Sequence, residues 1–463
     1  MAAFILAALL LAGCLRAFAP TGGGNAAAPG AAYLAEVSAR RLPAPDFDFT
    51  KAIDPDHGGL PAGHSIAALH TGSHGLRLVG YNPLGDIQRT GQPPGPGSAF
   101  TSLDVWGHYV CVAHWVGPGG VSGGATVLDI SDPARPTVLW TVGSGSISSD
   151  CQFTDDGDHL LVASSGTPLE TQEASPPPDA GNAGAKGLAV YDVRDKAHPR
   201  FLFTDATGDG DGLAYHNVFT ATIAGTDYVF QTYSGNILAL DAAAGRLRLV
   251  AKVDVAAHDV WVGRHPVTGQ WVMASGAGNG TVLYGLDDPA HPVLLSTWEG
   301  DGSAKGWHRQ WPVLGTVGGR AYLVVAGETT GPPEPYTVLD FTDPTRLEEV
   351  GHWELPGDPA PGVVPLYTFS PHEFETWDGY VASANYHAGV WVFDVGSPER
   401  AKAPVTLGYY LPHEIPQVEG GTGNTPWAMS PWVWGAAFDD RGYILSADLA
   451  SGFYVLAFDA TRP

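Results

Sequence analysis

The chain has 463 residues, 44% hydrophobic and 15% charged, enough apolar material for one large core or for two or three ordinary domains, and leaving little room for disorder beyond the N-terminus. Its 23 Lys and Arg against 48 Asp and Glu give a formal net charge of −25, the wrong sign for a nucleic-acid partner. The 61 Gly and 38 Pro fall between short apolar runs, so the composition asks for many turns joining many strands.

At the N-terminus, an apolar run from Ala2 to Leu11 is followed by Leu11-Ala-Gly-Cys14. The run is too short to span a bilayer, which makes residues 1–19 an expected export signal. The Leu-Ala-Gly-Cys ending resembles the lipobox of bacterial-type lipoproteins, which implies a lipid anchor on Cys14 as the sole membrane attachment. Residues 20–63, with the stretch Thr21 to Gly30, read as a flexible tether and N-terminal extension, and residues 64–463 as one folded domain outside the cytoplasm. His64, His70 and His74 precede the first repeat without ligand spacing. Beyond Cys14 only Cys111 and Cys151 remain, too few for a disulfide scaffold; two buried thiols in adjacent strands are expected, and a single bridge is the alternative.

From Leu76 onward short strand-like runs follow one another with no helical period. Seven of them, from Val127-Leu-Asp-Ile130 to Phe453–Phe458, mostly end near an Asp and a Pro-bounded turn, as in Ser131-Asp-Pro-Ala-Arg-Pro136. Seven more, from Tyr109–Ala113 to Tyr443–Ser446, precede those, and a third set precedes the second. Aligning the third set puts Leu103, Ser149, His216, His258, His308, His372 and Trp434 at one repeat position, roughly 42 to 67 residues apart. The shorter spacings match a four-stranded propeller blade, strands a to d from the inside outward. The last repeat lacks a d strand, and Leu76–Tyr81 resembles the d strand Val405–Tyr409, so the fold expected is a seven-bladed β-propeller closed by an N-terminal outer strand.

The stretch Val127 to Pro136, together with Ala384-Asn-Tyr-His-Ala-Gly-Val-Trp-Val-Phe-Asp-Val395, resembles the LVIVD-repeat family of envelope propellers. The resemblance implies a secreted or lipid-anchored propeller. The turn Asn385-Tyr-His-Ala-Gly389 is also similar to the selenium-binding, methanethiol-oxidase-like propellers, which implies a histidine-rich metal site.

In a propeller the starts of the a strands crowd the mouth of the axial channel, and the insertions 164–186, 355–369 and 411–431 gather on the same face. His216, His258, His308 and His372, from consecutive blades, are therefore expected to converge on a transition metal, copper, iron or zinc, whose open positions face a small molecule. Asp259 and Glu373 follow two of them and are candidates to support an adjacent blade's imidazole; His387 and Trp434 are candidate loop contacts, and His114 falls at a turn on the same face. Two other arrangements compete: four structural histidines bonded to neighbouring carbonyls, or two ligands and two structural residues. Asp205 to Gly212 has calcium-like acids but lacks the closing Glu and reads as a solvated turn. The functions in view are a metal-dependent oxidase or hydrolase of a small molecule, and a non-catalytic surface propeller that binds a protein or glycan.

Overall fold

The computed structural model describes residues 72–84, 99–116, 123–143, 148–164, 187–205, 215–255, 257–278, 280–300, 308–328, 334–355, 370–386, 388–412, 432–449 and 451–458. Cys14, the tether, His387, most of the acidic Asp205–Gly212 stretch and nearly all of the three long insertions lie outside them.

Among the described residues the strands form seven antiparallel sheets, each pairing in the order a, b, c, d. The a strands are Ala99–Trp106, Asp150–Phe153, Val218–Ile223, Val260–Arg264, Arg309–Pro312, Phe374–Trp377 and Val433–Phe438. Each touches the next, and the seventh touches the first, which closes the ring of a seven-bladed all-β propeller. Stacking of blade on blade explains the burial pattern. The b and c strands are covered on both faces and read as continuous apolar runs, such as Tyr336–Asp340, every residue of which is buried. Outer strands such as Val293–Glu299 meet solvent and lose that continuity. No helix among the described residues is long and apolar enough to cross a membrane.

The closing strand is where the repeat count puts it: Leu76–Asn82 pairs antiparallel with Gly452–Phe458 of blade 7. It also seals the joint to blade 1. A side chain at Gly80 would meet the carbonyl of Pro133 at 2.0 Å, and Asn82 Nδ2 donates to the Pro136 carbonyl at 2.8 Å. The repeated Asp at the end of strand c is a turn device. Asp129 accepts the Ser131 N–H at 2.7 Å, and Asp340 and Asp394 accept those of Thr342 and Gly396 at 2.9 and 2.7 Å.

Three local features depart from the sequence reading. Gly72–His74 adds a fifth strand to blade 6, paired with Tyr409, Tyr410 and Leu411; only a glycine at 408 admits it, since a Cβ there would lie 2.4 Å from the His74 carbonyl. A five-residue helix, Pro398–Lys402, follows strand c of the same blade, its N-terminus capped by Ser397 Oγ accepting from the Arg400 N–H at 3.1 Å. Cys111, on strand b of blade 1, and Cys151, on strand a of blade 2, form a disulfide with Cα atoms 6.4 Å apart. The expectation of two free thiols is thus corrected: adjacent blades bring these strands face to face, a proximity that pairing within one sheet does not predict.

The repeat alignment also shifts in blade 1, where the register of strands a and b slips between Phe100 and Leu103. Asp104 accepts the Phe153 N–H at 2.7 Å, as Glu375 accepts that of Phe438 at 3.4 Å. Glu375 lies three residues past His372, so Thr101, three before Asp104, takes the place assigned to Leu103.

Candidate metal centre

Each of the four repeat histidines stands just before an a strand, and the last backbone bond to strand b holds three of them. The N–H groups of His258, His308 and His372 donate to Gly276, Ala326 and Ala384 at 2.9, 3.2 and 2.9 Å. Because the a strands are the inner ring, equal positions on consecutive blades become neighbours around the axis. Ring centroids are 5.3 Å apart for His216 and His258, 4.5 Å for His258 and His308, and 4.6 Å for His308 and His372. All four are buried. Metal–nitrogen bonds of about 2.0–2.1 Å place an imidazole centroid about 3.2 Å from an ion, so ligands at right to tetrahedral angles have centroids about 4.5–5.2 Å apart. The His258–His308 and His308–His372 separations fall in that range, and the His216–His258 separation lies just beyond it.

The tightest donor set contains only two of the four. His308, Glu328 and His372 each offer a ligand atom, and these atoms lie within 4.8 Å of one another; this group could hold a metal ion. Glu328 Oε2 is 3.6 Å from His308 Nε2. On His372 the ring is oriented from blade 7: Nδ1 lies 2.7 Å from the Trp434 carbonyl, which can only accept. Nδ1 therefore carries the proton and Nε2 the lone pair, the state a metal ligand needs. Glu328 was missed by the sequence reading because it belongs to no repeated run. It stands just past strand b of blade 5, Tyr322–Ala326, and the signal for it was an acid in a b-to-c turn on the face already chosen.

Aromatic side chains close over this set. Tyr386, in the b-to-c turn of blade 6, donates its hydroxyl to Glu328 Oε1 and packs its ring 4.8 Å from His372. Trp434 lies 4.3 Å from His372, Trp115 meets Trp434 edge-on at 5.2 Å, and Tyr233 sits 5.4 Å from His216 and 5.6 Å from His258. Burial dominates the electrostatics. It lowers the His216 pKa to about 3 and holds His258 and His308 well below the ordinary imidazole range, with neighbouring imidazoles adding to the effect. It raises Glu328 to about 8, against the opposing hydrogen bond from Tyr386.

Asp259 and Glu373 turn to partners other than those expected. Asp259 Oδ2 accepts from the Arg309 guanidinium at 3.0 Å, and Glu373 Oε1 from Ser102 Oγ at 2.6 Å, two blades on in blade 1. Each follows its histidine by one residue, and the alternation of the strand sends it to a second level of the channel, where Arg309 also donates to the Phe374 carbonyl at 2.9 Å. Burial pushes Asp259 up to about 7 despite Arg309, and Glu373 well above the carboxylate range. Trp434 contributes both its ring and its carbonyl at His372. His114 lies inside strand b of blade 1, Tyr109–Val116, fully buried and not at a turn, and its pKa falls to about 3.

No protein-family model matches the chain, and no curated protein is significantly similar to it.

Proposed function

We propose that the chain is an exported propeller of the LVIVD-repeat type that binds a divalent transition metal at the axis and uses it on a small molecule. The observation that carries this reading is the convergence of His308, Glu328 and His372 donor atoms within 4.8 Å of one another, inside a run of four neighbouring imidazoles. Two histidines and a carboxylate suit iron(II) or zinc ahead of copper. His258 and His216 continue the set along the ring, as a fourth ligand and as its support. Bound there, the ion would supply Lewis-acid or oxygen chemistry.

The chain's own residues prepare the site. Burial keeps the His216, His258 and His308 imidazoles neutral at pH 7, so their lone pairs are not lost to protons. The Trp434 carbonyl fixes the His372 tautomer, and the rings of Trp434, Tyr386 and Tyr233 exclude water from the donor atoms. The Cys111–Cys151 disulfide supports export, because such bonds persist in oxidising compartments.

Metal analysis of protein purified without an affinity tag tests the reading. About one equivalent of iron or zinc is expected, lost in His308→Ala and His372→Ala and bound more weakly in Glu328→Gln and His258→Ala. If the wild type neither carries nor rebinds a transition metal, the reading fails and a non-catalytic surface propeller takes its place.

A further inference from the structure

We infer that Tyr386 is the positioning residue for the third ligand of this centre, holding Glu328 against the two histidines from an anchor in blade 7. The inference rests on the metal reading above. Glu328 lies just past the end of strand b in blade 5, and a glutamate there has three torsions free to swing or spin its carboxylate away from an ion. Tyr386 removes that freedom. Its hydroxyl donates to Oε1, which leaves Oε2 as the oxygen 3.6 Å from His308 Nε2. A phenol placed this way does not compete for the donor atom; it fixes which oxygen faces the imidazoles.

The phenol is itself held by more than packing. Tyr386 has φ of 46°, a left-handed conformation that a bulky residue adopts only when its surroundings impose it. Two backbone bonds do so: the Tyr386 N–H donates to the Val433 carbonyl at 3.1 Å, and the Val433 N–H donates back at 3.0 Å. The ring is then clamped by His372 at 4.8 Å, Trp434 at 5.8 Å and Trp432 at 5.9 Å. The adjacent Trp434 carbonyl orients His372. One short piece of blade 7, Trp432 to Trp434, thus sets two of the three ligands, one directly and one through Tyr386, although it supplies none.

The test is Tyr386→Phe, which keeps the ring and deletes the hydroxyl, read by titration of the metal-stripped protein with cobalt(II) and with zinc. The expected result is a 10- to 100-fold loss of affinity and a changed cobalt(II) visible spectrum, with an unchanged melting temperature for the metal-free protein. In a Glu328→Gln background the same substitution should cost nothing further, because its effect runs through the carboxylate. Equal affinity and an unchanged spectrum in Tyr386→Phe overturn the inference while the metal reading stands. A wild type that binds neither ion overturns both. Should Tyr386→Phe lower the melting temperature of the metal-free protein and bind as the wild type once folded, Tyr386 is structural and the inference also fails.

Discussion

Glu375 shows how the axis stores charge it cannot ionise cheaply. It is fully buried, and burial raises its pKa to about 8 against the opposing pull of Arg309. A carboxyl with a raised folded-state pKa contributes stability that is complete below its unfolded value, about 4.3, and is lost as pH climbs through the folded value. The wild type is therefore expected to lose stability between about pH 4.3 and 8, on the order of a few kcal/mol. Glu375→Gln should flatten that slope, as measured by denaturant titration across the range. The same scale shows why the site was only half legible in the sequence. Four histidines at one offset of a repeat announce convergence, because repetition turns equal position into spatial adjacency. Glu328 and Tyr386 sit in turns of unequal length, where the repeat says nothing about direction. Asp259 and Glu373 were expected to support an adjacent blade's imidazole, but their bonds to Arg309 of the next blade and to Ser102 two blades on depend on which side chains share that level of the channel.

At the scale of strands, the order and approximate place of the a to d strands in each blade were legible, since alternation, turn chemistry and the terminal Asp all mark strand ends. Contacts between blades were not, and the disulfide is the clearest case. Cys111 and Cys151 belong to different sheets, 40 residues apart, and nothing local signals that their side chains meet. A bridge closing a loop of that length is worth about 4 kcal/mol in the chain-entropy model. Cys111→Ala/Cys151→Ala protein should unfold at lower denaturant concentration by a free energy of about 2–4 kcal/mol, and the wild type should shift by a similar amount under reductant strong enough to open a buried bond. The register slip in blade 1 has the same origin. A bulge between Phe100 and Leu103 moves the histidine-equivalent position by two residues without leaving a mark in the apolar pattern.

For the whole molecule, the ring was read from a deficit: a last repeat one strand short and a spare strand at the other end. That strand makes deletion through Asn82 a sharp experiment. Removing it exposes the edge of Gly452–Phe458 and opens the joint sealed at Gly80 and Asn82, so the truncated chain is expected to lose its single cooperative transition in calorimetry and to aggregate. Because blade 7 also carries Val433 and Trp434, metal affinity should fall as ring closure is lost, even though no ligand is removed.

The small strand Gly72–His74 gives the N-terminal segment a mechanical character. Any tension applied to the chain ahead of Gly72 reaches blade 6 first, through three residue pairs with Tyr409, Tyr410 and Leu411, before it can load Leu76–Asn82. A three-residue edge strand yields at lower force than a seven-residue one. Under load it is expected to peel first, as a sacrificial clasp, while the seven-residue closing strand still holds the ring shut.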